Sequence, residues 1–352
     1  MNKEKITSKL SALSIKAEAK NKQKPFQVLV HSDRHDLHFN YPESSESQIF
    51  HVASIGKLLT TVMTLRMVEA GKLELDDQLV KWLDPEQLEG IFESDLHEIT
   101  ILDCLSHRSG AVDFFEGKTK SGKQLTDMVF EAPNTLWRPE MLLDFTRKYL
   151  KPVGKRGEKF NYSDTGFLLV CMVLERIEQK PVRMIFEEEL FKPLGMNDSQ
   201  SMIYMYPKEN AKVPLDIWLG KHEVKDLKIL SIDQADGGIV STPDDLVTFN
   251  KALYSGKLIN PEHLALMQQW QGKFRTGLHY GTGMMQVHFE EFFFMMKGFP
   301  RLTGHIGILS THCFYDQDND IHYILNFGST ENMTPSFVFL SNVVGLIKAE
   351  LK

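Results

Sequence analysis

The stretch HVASIGKLLTT, residues 51–61, places Ser54 three positions before Lys57 at the start of a helical pattern. On a helix those positions share a face, so the Lys57 ammonium can reach the Ser54 hydroxyl and lower the cost of an alkoxide. A Ser at a helix start also leaves its own N–H turned toward any developing oxyanion, in the positive field of the helix. Taken alone, S-x-x-K describes an ordinary N-cap with a solvated lysine, because Ser is common at that position. The neighbours argue otherwise. Ile55, Leu58, Leu59, Val62, Met63, Leu65, Met67 and Val68 cover most of the helix circumference, so Lys57 enters a buried environment and must find a polar partner there.

FNYSDTGFLLV, residues 160–170, offers that partner in Tyr162 and Asp164 just before a second strongly apolar helix. A nearby ammonium favours the phenolate, which makes Tyr162 a proton shuttle for Ser54, while an ionised Asp164 can only accept hydrogen bonds and can pair with Lys57. A third element is found in TGHIGILSTHCFYD, where His305 and Gly307 precede a strand pattern. Gly307 lets substrate approach the backbone, and the N–H of Ile308 is a candidate second oxyanion donor. A literal K-S-G at Lys120–Gly122 lies in a polar loop and is read as chance.

The elements that must position these residues follow from the hydrophobic periods. A helix over residues 4–20 precedes two β runs, FQVLVHS and HDLHFNY, and β character returns after residue 280 in GMMQVHFEEFFFMMKGF, GILSTHCFYDQ and DIHYILNFGS, before a last helix over about 332–350. The run GMMQVHFEEFFFMMKGF is read as core or sheet packing beside the cleft, with an acyl-pocket lining as the alternative; LWRPEMLLDF around Trp137 poses the same choice, with a rim position as its functional reading. Between the two β regions the patterns are helical, with Thr, Asp, Asn or Pro start signals. The fold class is therefore α/β of the α+β kind: a central antiparallel sheet from both termini (1–75 with 275–352), flanked by helices, plus a mainly helical lobe over 76–274.

Composition narrows the function classes. The chain has 352 residues, net charge −7, 42% hydrophobic and 25% charged residues, the profile of a globular protein. No Lys/Arg stripe suits nucleic acid. Three dispersed cysteines, Cys104, Cys171 and Cys313, form neither a disulfide framework nor a zinc motif. No apolar run approaches the ~20 residues of a membrane span, and the basic start lacks an apolar signal core, so the chain as written reads as cytoplasmic, with a periplasmic or extracellular home if a leader has been removed. No G-x-S-x-G elbow supports an α/β-hydrolase, and no H-E-x-x-H supports a metallohydrolase.

S-x-x-K, Y-x-[ND] and H-x-G in this order resemble the serine β-lactamase and penicillin-binding-protein superfamily, nearer its class C and esterase-like branch. VEAGKLELDDQLVKWL, ITILDCLSHRSG, LFKPLGMNDS and DGGIVSTPDDLVTFNKAL resemble recurrent segments of the same family, over about residues 45–330. The resemblance implies the β-lactamase/transpeptidase-like fold and a covalent acyl-enzyme without metal or organic cofactor. By motif it makes Ser54 the nucleophile, Lys57 its activator and Tyr162 the general base, leaving open which of Lys57 and Tyr162 takes the serine proton, and it puts His305, Gly307 and Ile308, with Asp164, on the substrate-binding and oxyanion side. Asp164 stands where the lactamases carry Asn, and His305 where they carry Lys. Both changes weaken the case for β-lactams and point to a small ester, amide or peptide, with a true class C-like lactamase or a non-turnover penicillin-binding sensor as alternatives.

Overall fold

The computed structural model describes residues 2–43, 48–201, 212–233 and 238–351. Asp236 and Gly237, which open the DGG segment singled out above, lie outside the described residues. Eight strands form one antiparallel sheet: β1 (Gln27–Ser32), β2 (Leu37–Tyr41), β3 (Gly272–Arg275), β4 (Leu278–Tyr280), β5 (Met285–Val287), β6 (Leu302–Gly307), β7 (Thr311–Asp316) and β8 (Ile321–Asn326). Their spatial order is β2-β1-β8-β7-β6-β5-β4-β3, so the first and last thirds of the chain meet where β1 pairs with β8, Leu29 opposite Ile324. The central antiparallel sheet built from both ends is thus observed.

Both faces of this sheet are covered, which is why its strands read as nearly continuous apolar runs. Val28, Val30, Phe314, Tyr323 and Leu325 pack with Ile6 and Leu10 of α1 (Lys3–Glu18) on one face. The alternate residues Leu29, Cys313 and Ile324 join a larger cluster on the other face. That cluster is organised around α2 (Gly56–Glu69), buried along almost its whole length; α3 (Ile101–Leu105), capped by the Thr100–Asp103 box; α4 (Asp164–Glu178), capped by Ser163; and α5 (Pro243–Tyr254), capped by Thr242. Cys104, Cys171 and Cys313 are all buried thiols.

Two local readings change. The helix expected from Ser54 begins as one tight 3₁₀ turn, Ala53–Ile55, before α2, and Ser54 does not cap it. The FEEFFFMM run is helical where β structure was expected: α6 (Phe289–Phe292) is followed by a 3₁₀ turn at Phe294–Met296. Phe289, Phe292 and Met296 recur at three- and four-residue intervals, a helical spacing that outweighs the aromatic β preference. The chain closes with α7 (Met333–Leu351), and α7 packs against α1 beside the sheet.

Candidate active site

The turn carrying Ser54 is fastened from three sides. Val52 donates its N–H to the Ile239 carbonyl at 2.9 Å and accepts at its own carbonyl from Thr311 Oγ1 of β7, also at 2.9 Å. Ala53 donates to His51 Nδ1 at 3.0 Å and adopts φ 50°, a left-handed conformation that costs a non-glycine residue on the order of 1 kcal/mol. Gly307 explains how the turn can lie so close to β6. A Cβ there would stand 2.5 Å from the Val52 carbonyl oxygen and 2.7 Å from Ala53 Cβ, so only glycine lets the strand edge press on the turn. Ile308 follows directly and lines the same cavity as Ser54. Among the described residues neither the Ser54 nor the Ile308 N–H is paired with a backbone carbonyl.

Behind Ser54, the fully buried Lys57 donates from Nζ to Ser54 Oγ at 3.0 Å and forms an ion pair with Asp164 at the start of α4. The ammonium also lies 5.1 Å from the Tyr162 ring centroid and 5.6 Å from that of Phe167. Tyr162 lines the same cavity as Ser54, whose side chain slightly favours the phenolate. Its acidity corrects the sequence expectation: burial pushes the phenol well above its ordinary value, and the favourable charge of Lys57 only partly opposes this, with Asp164 acting against it. Tyr162 therefore rests as a neutral phenol around pH 7.

His305 occupies β6 as expected, yet its imidazole is fully buried and is not among the residues lining the Ser54 cavity. Its Nδ1–H donates to the Ile306 carbonyl at 2.7 Å, which leaves Nε2 to accept from the Tyr280 hydroxyl at 3.3 Å. Burial pushes its pKa down to about 3, with Lys57 acting in the same direction. A neutral ring with both nitrogens engaged is a strut between β4 and β6, and it offers no cation to a substrate carboxylate.

Three residues absent from the sequence reading belong to this neighbourhood. Asp113 lines the cavity, accepts from the backbone N–H groups of Asp164 at 2.9 Å and Glu116 at 2.7 Å, and is held well above the carboxylate range by burial and by Asp164. Tyr280 braces His305. His107 packs its ring 4.4 Å from Tyr162 and 4.6 Å from Tyr280, and its Nδ1 accepts from the Ser163 N–H at 3.1 Å. Burial, reinforced by Lys57, keeps His107 neutral. The signal for His107 was its place just after the Thr-capped helix ITILDCLSH; Asp113 carried none, lying in an irregular loop.

The cavity itself measures about 670 Å³ and runs from Ser54, Tyr162 and Asp164 past Phe274 and Met285 to Phe292, Phe293 and one stripe of α7. Among the described residues Arg275 is the one Lys or Arg side chain lining it, and it faces Glu116 at 3.5 Å. The aromatic run that sequence assigned to core packing is thus partly cavity wall. Trp137 is not among the lining residues, and Lys120 to Gly122 form an exposed turn. Among the described residues the cluster with metal-ligand geometry is His279, His288 and Glu291; it is separate from the Ser54 group, and Lys273 already bonds Glu291 at 2.8 Å.

A family model described as Beta-lactamase matches residues 32–335. Penicillin-binding protein 4* of Bacillus subtilis is 22% identical over 252 residues, covering 63% of this chain and 50% of that protein. The chain thus spans about half the length of that curated relative. A D-amino acid amidase from Ochrobactrum anthropi, solved with L-phenylalanine amide, superposes with a TM-score of 0.81 at 18% identity over 99% of this chain and 100% of that one. EstCE1, a hydrolase with promiscuous acyltransferase activity, superposes at 0.74 with 17% identity over 96% and 98%. At these identities the structural likeness establishes the fold. No helix among the described residues is long and apolar enough to cross a membrane.

Proposed function

The chain belongs to the beta-lactamase family, and we propose that it is a serine acyl hydrolase acting on small esters or on amides and peptides. The observation that carries this reading is the buried ammonium of Lys57 on Ser54 Oγ, held by Asp164, with Tyr162 lining the same cavity. In this proposal Ser54 Oγ attacks the substrate carbonyl as its proton passes to Tyr162 in the phenolate form. Lys57, kept as an ammonium by Asp164, supplies positive charge to the alkoxide. The Ser54 and Ile308 N–H groups receive the oxyanion. The C–O or C–N bond breaks, the leaving group takes the proton from Tyr162, and water then cleaves the acyl-serine by the reverse relay.

Two features favour neutral acyl substrates over β-lactams. The β-lactam carboxylate needs a cation, whereas His305 is neutral and Arg275 faces Glu116. Asp164, unlike an amide, has no N–H to offer an acylamino carbonyl. A D-amino acid amidase and a hydrolase with promiscuous acyltransferase activity among the structural neighbours support acyl chemistry of this kind. A panel of nitrophenyl esters, D- and L-amino acid amides and a chromogenic cephalosporin, run on wild type and Ser54→Ala, tests the proposal. Ester or amide turnover abolished in Ser54→Ala is the expected result; retained activity in that variant would overturn it, and efficient cephalosporin turnover with inert esters would restore the lactamase reading.

A further inference from the structure

We propose that the cavity beyond Ser54 is an acyl chamber, and that the preferred substrates are neutral esters or amides with a long apolar acyl group. The inference rests on the hydrolase reading above and deepens it. Its evidence is that α7 has two apolar faces. Phe339, Leu340, Val343, Val344 and Ile347 are buried in the core with α1 and the sheet, and they account for the helix's structural role. Met333, Phe337 and Val338 form a second stripe, flanked by Thr334, Ser341 and Asn342; Met333 and Phe337 touch the core edge, and the stripe lines the cavity. From Thr334 to Asn342 the stripe runs about 12 Å along the helix axis.

Phe292, Phe293 and Met296 form the facing wall; Met296 packs on the core edge and Phe292 against Phe289 and Phe337, while Phe293 projects toward solvent. Phe293 is 50% exposed, Val338 57% and the adjoining Phe294 76%. Large apolar side chains gathered at a cavity mouth and left open to water point to an apolar ligand. Charge pairs also fasten the wall: Glu290 pairs with Arg301, while Glu291 binds Lys273 at 2.8 Å and His279 at 2.6 Å. The rings of Phe292, Phe293 and Phe337 and the thioethers of Met296 and Met333 beside a catalytic serine suit a flexible acyl chain, because such side chains adapt to varied apolar shapes. Among the described lining residues the one Lys or Arg, Arg275, already faces Glu116, which disfavours an anionic group.

The test is a chain-length series of 4-nitrophenyl esters from acetate to octanoate. Each methylene buried is worth about threefold to fourfold at most, so kcat/KM for octanoate should exceed that for acetate by about tenfold to a hundredfold after partial burial. Val338→Asp, at an exposed position, should remove most of that preference by lowering octanoate turnover far more than acetate turnover; Ser341→Phe should move the optimum to shorter chains. An acetate optimum in wild type, or equal effects of Val338→Asp on both esters, overturns the chamber while leaving the hydrolase intact. If no ester is turned over, calorimetry on Ser54→Ala decides the chamber alone: octanamide binding more tightly than acetamide supports it, and equal binding refutes it.

Discussion

Replacing Lys57 by Met separates the ion pair from the fold. Lys57 is wholly buried and its Asp164 partner nearly so, with side-chain exposures of 0% and 10%. Removing the ammonium leaves a carboxylate facing Tyr162 and the raised Asp113 carboxyl without its cation. Breaking one side of such a buried pair costs about 3–5 kcal/mol, whereas removing both charges with groups of similar shape is close to neutral. Lys57→Met should therefore lower the midpoint of thermal unfolding by several degrees, at roughly 2–4 °C per kcal/mol for a chain of this size class. Asp164→Asn in the same background should restore most of the loss, giving a coupling of about 2–3 kcal/mol in a double-mutant cycle followed by urea unfolding. Both Lys57 variants should lose at least about a thousandfold in kcat/KM, because the charge on Ser54 Oγ is absent whether or not the fold recovers. Equal stability of Lys57→Met and wild type, or additive single-mutant effects, would refute the claim that the site's charge balance rests on this pair.

Other consequences can be checked alongside. Gly307→Ala places a Cβ 2.5 Å from the Val52 carbonyl, so it should shift the nucleophile turn and reduce kcat about a hundredfold with a smaller change in KM, read in ester kinetics. Because burial raises Tyr162, the phenolate fraction grows with pH and kcat/KM should climb from pH 7 toward 10; a profile flat across that range would remove Tyr162 as the proton acceptor. His51 at about 4 and His305, His312 and His322 at about 3 are depressed, so the stability they contribute is full above pH 6.5 and is lost as pH falls toward 3, at up to about 1.4 kcal/mol per unit for each histidine. Asp113 acts with the opposite sign, but the imidazoles outnumber it, so the urea midpoint should drop between pH 6.5 and 4; a constant midpoint would contradict their neutral burial. Asp164→Asn should raise the ratio of cephalosporin to ester acylation, and an unchanged ratio in stopped-flow burst kinetics would remove Asp164 from substrate selection.

What could be read from sequence follows physical range. Ser54, Lys57 and the apolar α2 lie within one helical turn of each other, and the argument that a buried lysine requires a partner led to Tyr162 and Asp164 because the α4 pattern is equally apolar. The strand β6 was visible through alternation, and Gly307 through the need for close approach. The orientation of His305 was not, since nothing in HIG says that Tyr280, 25 positions earlier, takes its Nε2. Asp113 stayed hidden in an irregular loop. The acidity of Tyr162 was misjudged for a related reason: Lys57 is visible in the sequence, but the depth of burial that outweighs it comes from tertiary packing. FEEFFFMM misled because aromatic β preference and helical spacing compete in so short a run.

The site lies on a seam between two cores, and this explains why its halves do different work. Ala53, Ile55, Leu58 and Phe167 anchor the nucleophile turn and the Lys57 helix in the larger cluster. Leu278, Met285, Ile306, Tyr162 and Phe337 belong to or pack against the cluster of α1, α7 and the opposite sheet face. Tyr162 therefore reaches Ser54 from the other core, and β6 crosses the seam with Gly307 pressed on Ala53. Substitutions on the α6 and α7 wall should reshape the acyl side with little effect on the Lys57–Asp164 pair, because Met296, Met333 and Phe337 pack on the second cluster while the Lys57 helix is anchored in the first. A fold arranged in this way can keep one serine chemistry while its acyl wall varies, and the exposed Phe293 and Val338 are the positions at which such variation meets least resistance from packing.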